Sequence, residues 1–93
     1  MALKEKVCDH LKEFDPGNKK NAESYECAEC VKSGDMWVHL RTCQQCGITL
    51  CCDSSPNQHA SKHAKAHQHP VITSAEPGEN WAWCYEHLNF LKF

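Results

Sequence analysis

The chain of 93 residues has room for one small domain, and it carries eight cysteines and seven histidines. Its formal net charge is −2 and its only arginine is Arg41, so it lacks the basic, Arg-rich stripe of nucleic-acid-binding domains. No apolar run approaches the roughly 20 residues that span a bilayer, and the first residues lack the apolar core of a secretory signal. We therefore expect one cytoplasmic domain over residues 1–93, without membrane or nucleic-acid partners.

The N-terminal half contains one predicted helix and two short predicted strands. Residues 2–14 carry apolar side chains at helical spacing, at Leu3, Val7, Leu11 and Phe14. The polar, turn-rich residues 15–26 end this helix, and Ser33-Gly34 predicts a turn. Alternating apolar and polar residues over 36–42 predict a strand, and residues 48–52 predict a second one.

The C-terminal half contains the main predicted helix. Ser54 or Ser55 supplies an N-cap hydroxyl and Pro56 fits the first turn, so we expect a helix over residues 56–67. A third strand is expected over residues 70–75, a turn over 76–80, and a final aromatic-rich strand over 81–93. The predicted fold class is therefore α+β, in one compact unit.

The cysteines predict metal binding rather than disulfides. A small domain with few large apolar side chains usually needs disulfides or metal to be stable. In a chain that lacks a secretory signal, zinc is the expected choice. Two C-x-x-C pairs, Cys27/Cys30 and Cys43/Cys46, are the strongest local sign, because this spacing lets both thiolates reach one tetrahedral zinc.

Residues 51–70 offer further ligands but leave their assignment open. Cys51 and Cys52 are adjacent, and neighbouring strand residues point to opposite faces, so one of them is expected to be spare. His59 and His63 lie at i, i+4 on the predicted helix, a spacing that would allow one shared metal. His67 continues the same stripe, and His69 lies beyond the helix.

The two ends of the chain offer a third set. Cys8/His10 and Cys84/His87 could join the ends through one metal, although residues i and i+2 of a helix project about 200° apart. Metal binding there therefore competes with the predicted terminal helix, on which Cys8 would be a core residue. Together with the C-x-x-C pairs and the ligands of residues 51–70, the terminal residues complete a set of candidate ligands large enough for three tetrahedral zincs. Four protein ligands on each zinc would leave no open coordination position for catalysis. The candidate ligands are Cys8, His10, Cys27, Cys30, Cys43, Cys46, Cys51, His59, His63, His69, Cys84 and His87.

These units, in this order, resemble the UBP-type zinc finger of ubiquitin-specific proteases. The residues between the ligands are similar to those of small stand-alone bacterial members of that family. The match runs through Cys8-x-His10, both C-x-x-C pairs, Trp37, Gly47, Cys51, His59-x3-His63, His69-Pro70 and Trp83-Cys84-Tyr85, a ligand-bearing core over residues 8–87. The resemblance implies a twisted, mostly antiparallel sheet with a helix packed across it. It also implies three structural zincs, held by Cys8/His10/Cys84/His87, Cys27/Cys30/Cys51/His59 and Cys43/Cys46/His63/His69.

One departure from the family concerns the partner. Members that bind the ubiquitin C-terminus keep Gly-Arg-Tyr after the ligand cysteine, where this chain has Cys52 to Ser55. Asp53 would repel a carboxylate, which argues against ubiquitin-tail binding. The leading hypothesis is a non-catalytic protein-interaction module that recognises a peptide or protein tail of unidentified origin. Its candidate surface comprises Asp53, Trp81, Trp83 and Tyr85.

The sequence disfavours two other functional classes. A thiol redox or metal-handling protein would use the spare Cys52, but the neighbouring Asp53 disfavours thiolate reactivity. Hydrolysis at zinc would require a metal-bound water and a carboxylate base, and the helix reads His-Ala-Ser-Lys-His rather than His-Glu-x-x-His. The sequence therefore predicts that the protein is not an enzyme.

Overall fold

The computed structural model describes residues 8–93. They form a five-stranded antiparallel sheet in the order β2-β1-β3-β4-β5, with three α-helices and a short 3₁₀ helix, Pro16–Asn18, around it. The strands are β1 Leu40–Cys43, β2 Thr49–Cys51, β3 Val71–Ser74, β4 Trp81–Cys84 and β5 Asn89–Lys92. The helices are α1 Asp9–Glu13, α2 Ala28–Ser33 and α3 His59–His67. The predicted α+β class is confirmed, and none of these helices is long and apolar enough to cross a membrane.

The first helix and the terminal metal cluster coexist, so the predicted competition between them is wrong. α1 begins at Asp9, and Cys8 precedes it in an extended conformation (φ −68°, ψ 164°). Of the two ligands Cys8 and His10, only His10 lies within the helix. The separation of about 200° between residues i and i+2 of a helix therefore does not apply to them. The part of the predicted helix over residues 2–7 lies outside the described residues.

The strand predicted over residues 36–42 begins four residues late, at Leu40. Met36 and Val38 are exposed, and the Val38 N–H donates to the Ser55 hydroxyl (2.7 Å) instead of to a neighbouring strand. The alternating pattern therefore marks a segment that lies along the 52–55 loop. It belongs to the sheet only where β1 pairs with β2 and β3.

The predicted start of the main helix is also wrong. α3 begins at His59 after Gln58 in a left-handed conformation (φ 48°), and neither serine caps it. The Ser55 hydroxyl accepts from Val38, whereas the His59 N–H donates to the Cys51 sulfur (3.2 Å). The Cys51 sulfur, a candidate metal ligand, thus accepts a hydrogen bond from one of the N–H groups that have no partner within the first turn of the helix.

Two elements were missed. The final aromatic segment forms two strands, β4 and β5, which pair as a hairpin around a turn that contains Leu88 (φ 54°). Residues Ala28–Ser33 form a helix, α2, which is capped by the Cys27 sulfur as it accepts from the Cys30 N–H (3.3 Å). Gly34 ends it with φ 77°, a left-handed conformation that favours glycine.

Cysteine sulfur replaces much of the aliphatic core. Among the described residues, the fully buried side chains with the largest volumes are Leu11, Leu40, Ile72, two threonines and five cysteines. One cluster of buried residues surrounds Cys27, Cys30 and Cys51, and the other joins Leu11 to Ala82 and Cys84. Because the sulfurs lie in both cores, whatever binds them also holds the sheet and helices together.

Candidate metal centres and an aromatic pocket

The structure brings the twelve predicted ligands together in three groups of four. In each group, one potential ligand atom from each residue lies within 4.8 Å of the others. The membership equals that implied by the family resemblance. The first cluster is Cys8, His10, Cys84 and His87; the second is Cys27, Cys30, Cys51 and His59; the third is Cys43, Cys46, His63 and His69.

The second cluster lies in the core, between α2, β2 and the start of α3. The His59 Nδ1 lies 3.4 Å from the Cys27 and Cys30 sulfurs and 3.6 Å from the Cys51 sulfur. Two sulfurs, of Cys30 and Cys51, are 3.9 Å apart. With Zn–S near 2.3 Å and Zn–N near 2.05 Å, tetrahedral zinc would separate such atoms by about 3.6–3.8 Å. The three sulfurs and the His59 nitrogen therefore lie at about the spacing that tetrahedral zinc requires.

The first cluster joins the two ends of the described chain. Cys84 ends β4, and its sulfur lies 3.5 Å from His10 Nδ1 and 3.7 Å from His87 Nδ1. Burial of Leu11 against β4 positions α1, and hence His10, beside this strand. His87 is exposed, so this cluster has one side open to solvent.

The third cluster joins the end of β1 to the end of α3. The Cys43 sulfur lies 3.6 Å from His69 Nδ1, and the Cys46 sulfur lies 3.4 Å from His63 Nε2. Gly47 adopts φ 84°, a left-handed conformation that lets the chain turn back after the C-x-x-C pair. Cys46 is exposed, which makes this cluster more accessible than the second one.

In each of the three clusters, burial keeps one thiol protonated in the absence of a cation. All eight cysteines are free, so no disulfide competes for them. Burial and the hydrogen bond with Cys27 raise the pKa of Cys30 to about 12. Burial likewise raises the pKa of the Cys43 and Cys84 thiols. A divalent metal would displace these protons and bind the thiolates, which is the chemistry of a zinc site.

The structure distinguishes the adjacent cysteines. Cys51 belongs to the second cluster, whereas Cys52 faces away from it, with its sulfur 3.7 Å from the Ser55 hydroxyl. Burial opposes ionisation of the Cys52 thiol, but hydrogen bonds from Ser55 and the Ser54 backbone lower its pKa to about 7.

The sequence did not predict the role of Asn57, whose amide approaches the Cys30 sulfur (3.9 Å) and donates to Asp35 (2.9 Å). Only the folded loop places Asn57 there.

The four residues of the predicted recognition surface line one cavity of about 200 Å³. Trp81 and Trp83 share a face of β4, and the Tyr85 ring meets the Trp83 ring edge-on at 6.4 Å. Burial and the Asp53 carboxylate raise the pKa of Tyr85, which keeps its phenol protonated as a hydrogen-bond donor. The complete lining is Arg41, Cys52, Asp53, Ser54, Ile72, Trp81, Trp83 and Tyr85.

Arg41 is the charged member of this lining that the sequence did not predict. It comes from β1, and its guanidinium carbon lies 4.6 Å from the centre of the Trp81 ring. Its Nη1 donates to the Leu40 carbonyl (2.9 Å), and within residues 8–93 no carboxylate lies within ion-pair distance of it. Arg41 therefore forms no ion pair within residues 8–93, although the Asp53 carboxylate lines the same pocket.

Comparison with known proteins identifies the fold. The profile of the zf-UBP family, described as "Zn-finger in ubiquitin-hydrolases and other protein", matches residues 27–92. That match covers well over half of the chain. This protein belongs to the UBP-type zinc-finger family. The similar solved structures include an NMR structure of a protein from Rhodopseudomonas palustris, with 38% identity and a TM-score of 0.78. The comparison covers 92% of this chain and 81% of that one, and no curated protein sequence matches.

Family and geometry together establish the cofactor of this UBP-type zinc finger. The donor set, two clusters of two thiols and two imidazoles and one of three thiols and one imidazole, suits zinc, which prefers sulfur and nitrogen ligands. The protein is a zinc-binding zinc finger with about three sites.

Proposed function

We propose that this UBP-type zinc finger is a non-catalytic interaction module, with structural zincs held by the twelve residues of the three clusters. Each cluster supplies four donors, which fill a tetrahedral coordination shell and leave no position for a reacting water. The module would bind the C-terminal tail of a protein partner in the aromatic pocket. The observation that carries the proposal is the Arg41 guanidinium over Trp81 inside that pocket, which forms no ion pair within the described residues 8–93.

The pocket chemistry suits the free end of a polypeptide. A guanidinium presents a planar fork that holds a carboxylate in two hydrogen bonds, and Arg41 still has donors to offer. Asp53, also in the lining, can accept from the backbone N–H that adjoins a terminal carboxylate. The cavity of about 200 Å³ is smaller than the roughly 300–1,000 Å³ typical of pockets for drug-sized ligands, so it suits a slender chain end.

Arg41 also bears on the argument that Asp53, within Cys52–Ser55, would repel the carboxylate of a bound tail. Ubiquitin-binding members are expected to keep their arginine in the Gly-Arg-Tyr that follows the ligand cysteine, whereas here the pocket cation comes from β1. Carboxylate recognition is therefore compatible with Asp53. Because the positive charge comes from a different position than in the ubiquitin-binding members, the proposal does not specify ubiquitin as the source of the tail.

Titration with matched peptides tests the proposal. We expect a Gly-Gly-ending peptide with a free C-terminus to bind at least 10-fold more tightly than its amidated form, a difference of about 1.4 kcal/mol or more. Arg41→Gln should remove this discrimination, because the guanidinium then no longer meets the carboxylate. Fluorescence of Trp81 and Trp83, which line the pocket, provides the readout.

Lys62→Gln is the matched control, since it removes an equal charge from the exposed outer side of α3. It should leave both affinities unchanged. Equal binding of the free and amidated peptides by the unsubstituted protein, or no binding of either, would contradict tail recognition. Ubiquitin, which has a free C-terminal tail, can be tested in the same assay.

A thiol function for Cys52 is the second candidate, favoured by the lowered pKa of this residue. Its side chain is only 4% exposed, however, and a reactive thiol needs access to its partner. We expect iodoacetamide to label Cys52 of the zinc-loaded protein slowly, with a rate close to that of global unfolding. Rapid labelling of Cys52 alone, located by peptide mass spectrometry, would instead support the thiol function.

A further inference from the structure

The third cluster has a fifth potential donor, His67. This residue is the last of α3 and lies one helical turn beyond His63, on the same side of the helix. Gln68 then takes a left-handed conformation (φ 55°), which reverses the chain and brings His69 back beside the last turn. Three imidazoles therefore surround one end of the cluster.

The ring separations place His67 at the distance of a co-ligand. Its ring centre lies 4.7 Å from that of His63 and 5.8 Å from that of His69. Two histidines that share a cluster are 5.4 Å apart in the third cluster (His63 and His69) and 5.1 Å apart in the first (His10 and His87). Two imidazoles on one tetrahedral zinc have ring centres about 5 Å apart. The His67 ring is outside the group of four whose donor atoms lie within 4.8 Å of one another, so the side chain would have to rotate to bring a nitrogen to the zinc position.

Nothing in the described part of the chain holds His67 elsewhere. It is exposed, and no residue of 8–93 forms a hydrogen bond or ion pair with its ring. Cys46 of the same cluster is exposed too, so the coordination shell can rearrange on the solvent side. The second cluster differs, because three of its four ligands are fully buried.

We propose that His67 is an exchange ligand of the third zinc, which takes the place of His69 or His63 when either one dissociates. The bond from zinc to one imidazole nitrogen breaks as the bond to another forms, so coordination number and charge stay the same. This inference rests on the proposed zinc-ligand role of the third cluster. It makes the third site able to keep zinc with one of its histidines missing.

Zinc counting by native mass spectrometry tests the inference. The unsubstituted protein and His67→Ala should each carry three zincs, and so should His69→Ala, because His67 replaces the lost ligand. His67→Ala/His69→Ala should carry two. Lys65→Ala/His69→Ala is the matched control, since Lys65 is an exposed residue of the same helix, and it should still carry three.

The outcomes separate the two proposals. Fewer than three zincs in the unsubstituted protein would contradict the ligand assignment itself. Three zincs in that protein but two in His69→Ala would overturn the exchange role of His67 alone. Cobalt substitution gives an independent reading: the visible absorption of tetrahedral cobalt should keep its intensity in His69→Ala and fall in the double variant.

A rate measurement covers the case in which His69→Ala fails to fold. His67→Ala retains all four ligands of the third cluster and is expected to fold. It should release one zinc to a chelator several-fold faster than the unsubstituted protein, because a dissociated His63 or His69 is no longer replaced. Equal release rates would overturn the inference.

Discussion

Cys51→Ser is expected to remove the second zinc and unfold the protein, whereas Cys52→Ser should leave all three zincs bound. The Cys51 sulfur lies 3.6 Å from His59 Nδ1 and accepts the first N–H of α3, so its loss affects both the metal and the helix start. Structural zinc contributes about 10–16 kcal/mol in small zinc-finger peptides. A domain of this size has only about 5–15 kcal/mol of stability to lose.

The adjacent cysteine makes a close control. Cys52 is as buried as a core residue, but its sulfur contacts the Ser55 hydroxyl rather than a cluster, so its loss should cost about 1 kcal/mol. Circular dichroism and native mass spectrometry of the two variants provide the readouts. A folded Cys51→Ser protein with three zincs, or a Cys52→Ser protein with two, would reverse the assignment of the two residues.

Graded chelation should remove the zincs in two stages. The sulfurs of the second cluster are fully buried within the larger core, whereas the first cluster has the exposed His87 and the third has the exposed Cys46. A chelator such as EDTA is therefore expected to take zinc from the first and third clusters before the second. The sheet should persist until the last zinc leaves, because that zinc joins α2, β2 and α3.

Mass spectrometry of the partly chelated protein should show a folded species with one zinc. Cadmium substitution followed by cadmium NMR identifies the site that remains, since three thiolates give a resonance downfield of that from two. Re-addition of zinc controls for irreversible damage. Loss of the fold together with the first zinc, or simultaneous release of all three, would show that the clusters do not differ in this way.

The secondary structure was predicted best where local pattern and hydrogen bonding agree. The strands at Thr49–Cys51 and Val71–Ser74 were expected, because both are short apolar runs bounded by turn residues. The start of α3 was not, because Ser55 bonds to Val38 and a cluster sulfur accepts the first helical N–H. Both of those partners are distant in sequence, so the capping rules for a local segment do not detect them.

The pocket shows the same limit. Trp81, Trp83 and Tyr85 share a strand parity that places them on one face, and this parity is visible in the sequence. Arg41 joins them only because β1 lies beside β3, which pairs with β4 in the sheet. The sequence separation of about 40 residues between Arg41 and Trp81 hides that neighbour from any local pattern.

The sequence by itself determined the kind of protein this is. Cysteine and histidine spacing predicted a zinc-stabilised domain and its set of candidate ligands, because ligand type and the C-x-x-C turn are local properties. Spacing alone left open whether His59 and His63 share a metal, and whether Cys51 or Cys52 faces the cluster. The tertiary structure decided both, since the position of α3 across β1 and β2 places each histidine beside a different cysteine pair. Such placement depends on strand order and helix packing, which join residues far apart in the chain.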